Sequence, residues 1–130
     1  MKVNPDVFKF EVCHHENIKW SESMVFYAEE LTYFQKLLKE VVEKNSNPAI
    51  KEQVVHFQQK VQTLSDQLYH LALGIINQEK VFAEYAQGDK FLFSEQIELI
   101  HQRQQVAFDQ SEREFLRIKK ELYDFLKKAL

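Results

Sequence analysis

The fold is decided by residues 50–85, which read IKEQVVHFQQKVQTLSDQLYHLALGIINQEKVFAEY. Apolar side chains recur there at alternating steps of four and three residues, the spacing that keeps one seam of an α-helix against a partner helix. The segment therefore predicts one long helix that needs neighbours. Its seam consists of Ile50, Val54, Phe57, Val61, Leu64, Leu68, Leu71, Ile75, Gln78, Phe82 and Tyr85, with Gln78 as the single polar member.

A second apolar stripe lies on the other side of the same helix. Two apolar faces need two neighbours, so we expect this helix to be central in the bundle. Gly74 costs roughly 1 kcal/mol relative to alanine inside a helix, and we expect it where another backbone comes close. The second stripe consists of Val55, Tyr69, Leu73, Ile76 and Ala83.

Composition favours an all-α fold. The 130 residues are 45% hydrophobic and 13% aromatic, enough for a core, but only two glycines and two prolines are available for turns. A net charge of −3 argues against a nucleic-acid binder, which would neutralise phosphates. No apolar run approaches the ~20 residues that span a bilayer, so we expect no membrane association. The lone Cys13 fits a reducing compartment, and we expect a cytoplasmic location.

Capping signals bound the predicted helices. Ser21, followed by Glu22, resembles an N-cap, and Asn47 precedes a proline at the first position of the long helix. Gly88 suits the end of that helix, and Ser94 suits the start of the last one. The predicted helices cover residues 21–45, 48–87 and 94–129.

The last helix carries a less regular seam. Its members are separated by steps of three or four, with two successive steps of four around Ser111, which predicts a local stutter in the supercoil. The seam consists of Ile97, Ile100, Gln104, Ala107, Ser111, Phe115, Ile118, Leu122 and Phe125.

The first residues differ from the rest of the chain. Residues 7–12 alternate apolar and polar side chains with period two, so residues 1–18 are predicted to form an extended arm. No second strand signal is present, and the arm either packs on its own helices or pairs with another copy. The prediction is one domain of residues 1–130: an antiparallel three-helix bundle, built as a long hairpin with a shorter first helix and this arm.

Helix lengths indicate an uncovered surface. At 1.5 Å per residue the second and third helices are each roughly 55 Å long, and the first is only about 37 Å. The first helix would stop near Leu73 and leave residues 74–105 as a pair of helices. We therefore expect a homodimer through this half, with the arm as the rival cover. The apolar residues that would form the interface are Ile76, Val81, Leu99 and Val106.

Two clusters contain residue types that bind metals. Glu98 and His101 have the Glu-x-x-His spacing of di-iron carboxylate bundles, which need two such motifs; a dimer would supply both, with Glu79 or Glu84 added. His101 falls at the edge of the seam, so an exposed pair is the alternative. Cys13-His14-His15 lacks the second ligand pair of a zinc motif.

The sequence shows no catalytic motif. Serines 21 and 94 are accounted for as helix caps, and no glycine-rich phosphate loop is present. The basic stripe in residues 113–130 is interleaved with acids, which favours a solvated face over an anionic-surface site. We expect a non-enzymatic helical bundle without a cofactor, acting as a homo-oligomeric or protein-interaction module. The alternative is a metal-binding, di-iron-like bundle enzyme.

Some residues in the first half of the chain support a resemblance. His15, Trp20, the pair Phe26-Tyr27 with Glu30-Leu31 after it, and residues 55–58 (VHFQ) are similar to small bacterial helical-bundle proteins. That group has no assigned activity. The resemblance implies a helical fold and transfers no functional role.

Overall fold

The computed structural model describes residues 4–87 and 93–130, which form three packed α-helices and no strand. The helices are α1 (Pro5–Lys44), α2 (Pro48–Gln87) and α3 (Glu95–Ala129). Contacts such as Phe10 with Phe82 and Phe57 with Phe125 show that α1 and α3 each run antiparallel to α2. The all-α three-helix bundle is thus confirmed. Within the described ranges, no helix has an apolar stretch that could cross a bilayer.

Helix α1 is longer than the sequence analysis predicted. Asn4 is its N-cap, with the side-chain oxygen accepting a hydrogen bond from the backbone N–H of Asp6 at 2.9 Å, and Pro5 takes the first helical position. Ser21 therefore lies inside the helix. The prediction of an extended arm is wrong for residues 5–18, because they form the first turns of α1. Residues 1–3 lie outside the described part of the chain.

A heptad ladder along all of α1 explains this difference. The alternation in residues 7–12 would have buried Phe8 with Phe10, yet Phe8 is 56% exposed and Phe10 only 7%. Packing of the longer, period-3.6 pattern decides the structure, because it buries a continuous stripe. The buried members are Phe10, Cys13, Asn17, Trp20, Met24, Leu31, Phe34, Leu38 and Val41.

The amino-terminal turns of α1 cover the far half of the hairpin. The ring of Phe10 lies 4.9 Å from that of Phe82, 5.9 Å from Tyr85 and 5.3 Å from Phe93. The first helix therefore does not stop near Leu73, and that prediction was wrong. The amino-terminal residues of the chain cover this half of the hairpin, as was expected of the arm, but they do so as a helix.

The seam of α2 follows the predicted ladder, whereas that of α3 does not. In α3 the buried positions include His101 and Phe108, and Ile100 is 41% exposed, so the steps of four and three continue without a stutter. Ser94 caps α3 by accepting from the backbone N–H of Ile97 at 3.2 Å. The expected C-terminal residue Gly88 lies outside the described residues.

Aromatic packing joins α1 to α3 in the middle of the bundle. The ring of Tyr27 lies 4.4 Å from that of Phe115, which also stacks with Phe34 at 6.0 Å. The Tyr27 hydroxyl donates to Glu112 Oε2 at 2.5 Å. Partial burial, followed by this hydrogen bond and the carboxylate charge, raises the pKa of Tyr27 to about 12. Tyr27 is therefore neutral at physiological pH, and its hydrogen bond to Glu112 joins the two parallel helices α1 and α3.

Gly74 has more room than the sequence analysis predicted. A Cβ atom at this position would lie 3.6 Å from Gln104 Nε2, an ordinary contact, and would meet no other backbone within 4 Å. The expected close backbone approach is therefore absent. The contact is with a flexible amide side chain that tolerates a methyl group.

Gly74→Ala should raise the free energy of unfolding by about 0.5–1 kcal/mol, because alanine reduces the entropy lost on helix formation and makes no clash. Chemical denaturation monitored by circular dichroism measures this change. Ala28→Gly is the matched control at an exposed position inside α1 and should cost a similar amount. Destabilisation by Gly74→Ala would contradict the open packing described above.

Phe10→Ala should lower the free energy of unfolding by about 3 kcal/mol, since it empties a site packed between three rings. Phe8→Ala is the matched control and should change stability by less than about 0.5 kcal/mol, because the Phe8 side chain is 56% exposed. Thermal or urea unfolding compares the two. Equal effects would indicate an extended segment with both rings on one face.

Candidate functional site

One level of the bundle core is polar. Asn17 of α1, Gln78 of α2, and His101 and Gln104 of α3 occupy seam positions, and each is less than one-tenth exposed. We refer to these four residues as the polar layer. Apolar seam residues lie on both sides of it along every helix. Hydrogen bonds join Asn17, Gln78 and His101, whereas Gln104 Oε1 has no partner among the described residues.

The hydrogen bonds of the polar layer form a chain with defined directions. A Glu79 carboxylate oxygen accepts from Asn17 Nδ2 at 2.8 Å, which orients the Asn17 amide. The same Nδ2 donates to Gln78 Oε1 at 2.9 Å. His101 Nδ1 lies 3.1 Å from that oxygen, and because an amide oxygen only accepts, Nδ1 carries the proton. This network leaves His101 Nε2 as the free ring nitrogen.

The ring of His101 is also held by stacking. The Trp20 indole lies 4.8 Å from it with an interplanar angle of 26°, and Phe108 stacks on the other side of the indole at 5.9 Å. Together with the bond to Gln78, this packing fixes the direction of Nε2. That atom has no hydrogen-bond partner among residues 4–87 and 93–130.

His101 lines a cleft of about 310 Å³ between α1 and α3. Glu16 Oε1 lies 3.5 Å from Nε2. The cleft thus contains both residues predicted as metal ligands, Glu98 and His101, and adds two from α1 that the sequence analysis did not connect with them. Its lining residues are Phe8, Lys9, Val12, Cys13, Glu16, Phe93, Glu98, His101, Gln102 and Gln105.

Cys13 is a free, buried thiol in this cleft. Desolvation, followed by the charges of Glu16, Glu98 and Glu79, raises its pKa to about 11. A catalytic cysteine needs the opposite shift, because the thiolate is the nucleophile. Cys13 is therefore not poised for nucleophilic catalysis.

The other predicted site residues lie apart. The Cys13-His14-His15 cluster is divided, with Cys13 in the core, His14 Nδ1 bonded to Glu79 Oε2 at 2.8 Å, and His15 exposed. His101 is buried and not at the edge of the seam, which corrects the expected exposed pair. Among the described residues, no three His, Cys, Asp or Glu side chains already surround a common point as metal ligands.

The four predicted interface residues are all exposed but do not share one surface. Ile76 lines a cleft of about 510 Å³ between α1 and α2. Leu99 and Val106 each follow a seam residue of α3 by two positions, which is about 200° around a helix, so they lie on its outer side. Val81 directly precedes the seam residue Phe82. An interface of all four would therefore need more than one face of the bundle.

Comparison with known proteins adds no assignment. No family model, no curated protein and no solved structure matches the chain.

Asn17→Ala should lower the free energy of unfolding by about 1–3 kcal/mol, because it leaves Gln78 with one hydrogen bond fewer inside the core. Denaturant unfolding measures the loss. Thr32→Ala removes another side-chain hydrogen bond, to the Ala28 carbonyl oxygen, at an exposed site and should change stability by less than about 0.5 kcal/mol. If both variants behaved alike, the polar layer would contribute nothing specific to stability.

Proposed function

We propose that the protein is a non-enzymatic helical-bundle module that forms a homodimer through the outer face of α2. The observation that carries this proposal is a ladder of seven exposed residues, which we call the outer ladder. Its central members, Tyr69, Leu73 and Ile76, are 63%, 40% and 51% exposed. The outer ladder consists of Gln62, Asp66, Tyr69, Leu73, Ile76, Lys80 and Ala83.

The centre of the outer ladder is an apolar surface that a partner could cover. Its residues recur at steps of four and three, so they form a straight stripe opposite the buried seam of α2. Ile18 and Val25 of α1 extend the apolar surface beside it, at 42% and 59% exposure. A contiguous apolar surface of this kind favours association.

The order of residues in the outer ladder favours a second copy of the same chain as the partner. Asp66 lies seven positions before Leu73, and Lys80 lies seven positions after it. When two α2 helices pair antiparallel about a two-fold axis at Leu73, each Asp66 faces Lys80 of the other copy. Tyr69 then faces Ile76. A two-fold interface must be complementary to itself. The antiparallel pairing meets this requirement, because it forms two symmetric ion pairs between Asp66 of one copy and Lys80 of the other.

The non-enzymatic part of the proposal is supported by the state of the single thiol. The raised pKa of Cys13 keeps it protonated, and the hydrogen bonds that join Asn17, Gln78 and His101 Nδ1 are made within the core. We also propose that the module works in the cytoplasm, where the lone cysteine stays reduced.

The first test is the oligomeric state. We expect the wild-type chain to sediment as a dimer at tens of micromolar. Leu73→Glu places two like charges at the two-fold axis and should yield a monomer. Leu99→Glu is the matched control, since it changes a leucine of similar exposure, 47% against 40%, on the outer side of α3. A monomeric wild type, or dissociation by Leu99→Glu alone, would refute the interface.

A charge exchange tests the antiparallel register. Asp66→Lys should weaken the dimer by about tenfold or more, because two unfavourable pairs arise by symmetry, each of the order of 1 kcal/mol. Combining Asp66→Lys with Lys80→Asp should restore the wild-type dissociation constant. Failure of the double variant to recover would rule out this pairing while leaving other modes of dimerisation open to the Leu73→Glu test.

A further inference from the structure

We infer that the cleft between α1 and α3 binds one divalent transition-metal ion of the zinc class. His101 Nε2 and Glu16 are the ligands already in place, and Cys13 and Glu98 complete the set. All four line the same cleft. The site is independent of the outer ladder of α2.

The orientation of His101 is the first argument. Its Nδ1–H donates to Gln78 Oε1, which Asn17 holds in place, so the Nε2 lone pair is left for a ligand beside Glu16. Metal-binding histidines commonly donate the second ring N–H to an oxygen in this way. His101 is only 6% exposed, and Nε2 has no hydrogen-bond partner within the part of the chain that the structure describes. Asn17 Oδ1, Gln78 Nε2 and Gln104 Oε1 are also without partners there, but only the imidazole Nε2 lone pair of this set can bind a transition metal and lies beside a carboxylate.

The distance from Nε2 to Glu16 Oε1 is the second argument. Its value of 3.5 Å exceeds the ~2.7–2.9 Å of a hydrogen bond between a protonated imidazole and a carboxylate. Two ligands of a tetrahedral zinc ion, each ~2.0–2.2 Å from the metal, lie about 3.4 Å apart. The separation of the two atoms is thus also that of two ligands of one metal ion.

The spacing of the four side chains is the third argument. Cys13 and Glu16 are three positions apart on α1, and Glu98 and His101 are three apart on α3. Residues at this spacing share one face of a helix, and both faces meet at the cleft. Cys13 packs with Phe82 and Glu98 is exposed, so these two side chains must turn to reach the ion.

The chemistry of the ligands indicates the metal. Thiolate and imidazole ligands select zinc or a similar ion over magnesium and calcium. Coordination of Cys13 releases its thiol proton to solvent, and the 2+ charge of the metal offsets two of the three negative charges of the thiolate and the two carboxylates. Four protein ligands leave no open position, which is typical of a structural site and agrees with a non-enzymatic module. A single Glu-x-x-His motif supplies too few ligands for a di-iron centre within one chain.

Metal titration of the full chain tests the inference. After treatment with a chelator, the protein is titrated with zinc in competition with a chromophoric chelator, and elemental analysis gives the stoichiometry. We expect one zinc ion per chain. Glu16→Gln and Cys13→Ser should each weaken binding by at least about tenfold, and Glu98→Gln should weaken it as well. His14→Ala and His15→Ala are matched controls beside the cleft and should leave affinity unchanged.

Cobalt provides a spectroscopic readout of the ligands. Bound Co²⁺ should show the sulfur-to-metal charge-transfer band of a thiolate ligand, and Cys13→Ser should abolish it in a protein that remains folded by circular dichroism. Absence of stoichiometric zinc in the wild type, or millimolar affinity only, would overturn the inference. It would also be overturned if His14→Ala or His15→Ala removed the metal while Glu16→Gln did not.

Discussion

The hydrogen bonds that join Asn17, Gln78 and His101 fix how three long helices are aligned. An apolar seam with a seven-residue repeat can slide by one repeat, about 10 Å, and still bury apolar side chains. Such a slide would separate these polar groups inside the core. Each buried group left without a partner costs about 1–3 kcal/mol, so the polar layer selects one alignment, as a buried asparagine does in coiled coils.

The same alignment creates the cleft and leaves the outer ladder exposed. Placing Asn17 against Gln78 brings Glu16 beside His101 on one side of α1. On the other side, Ile18 is placed beside Ile76 on the surface of the bundle. The two surfaces that support our proposals therefore follow from one choice of register, although they lie on different sides of α1.

The predictability of the fold from sequence differs between the helices. The ladder of α2 is almost wholly apolar, and Asn47 and Pro48 mark the start of the helix. The position and extent of α2 could therefore be predicted from the sequence. The ladder of α1 passes through Cys13 and Asn17, and these residues hid its regularity. Residues 7–12 alternate over too short a stretch to specify a strand without a partner, and tertiary packing overrides that preference.

The candidate site was less predictable than the fold, because its residues meet only through tertiary structure. Sequence spacing paired Glu98 with His101 but favoured Ile100 over His101 as the seam residue. His101 occupies the seam because its imidazole donates across the core to the amide oxygen of Gln78. Glu16 carries no signal of its own in the sequence. Its relevance follows from the parallel alignment of α1 with α3, which places it 3.5 Å from the ring.

Because Cys13 is buried, the reactivity of its thiol reports local opening of the bundle. The thiol is 5% exposed, and alkylating reagents react with a thiolate that solvent can reach. Labelling therefore requires the first turns of α1 to separate from α2. The rate of this modification reports the free energy of that local opening, independently of unfolding of the whole bundle. With no second cysteine in the chain, this signal comes from a single place in the molecule.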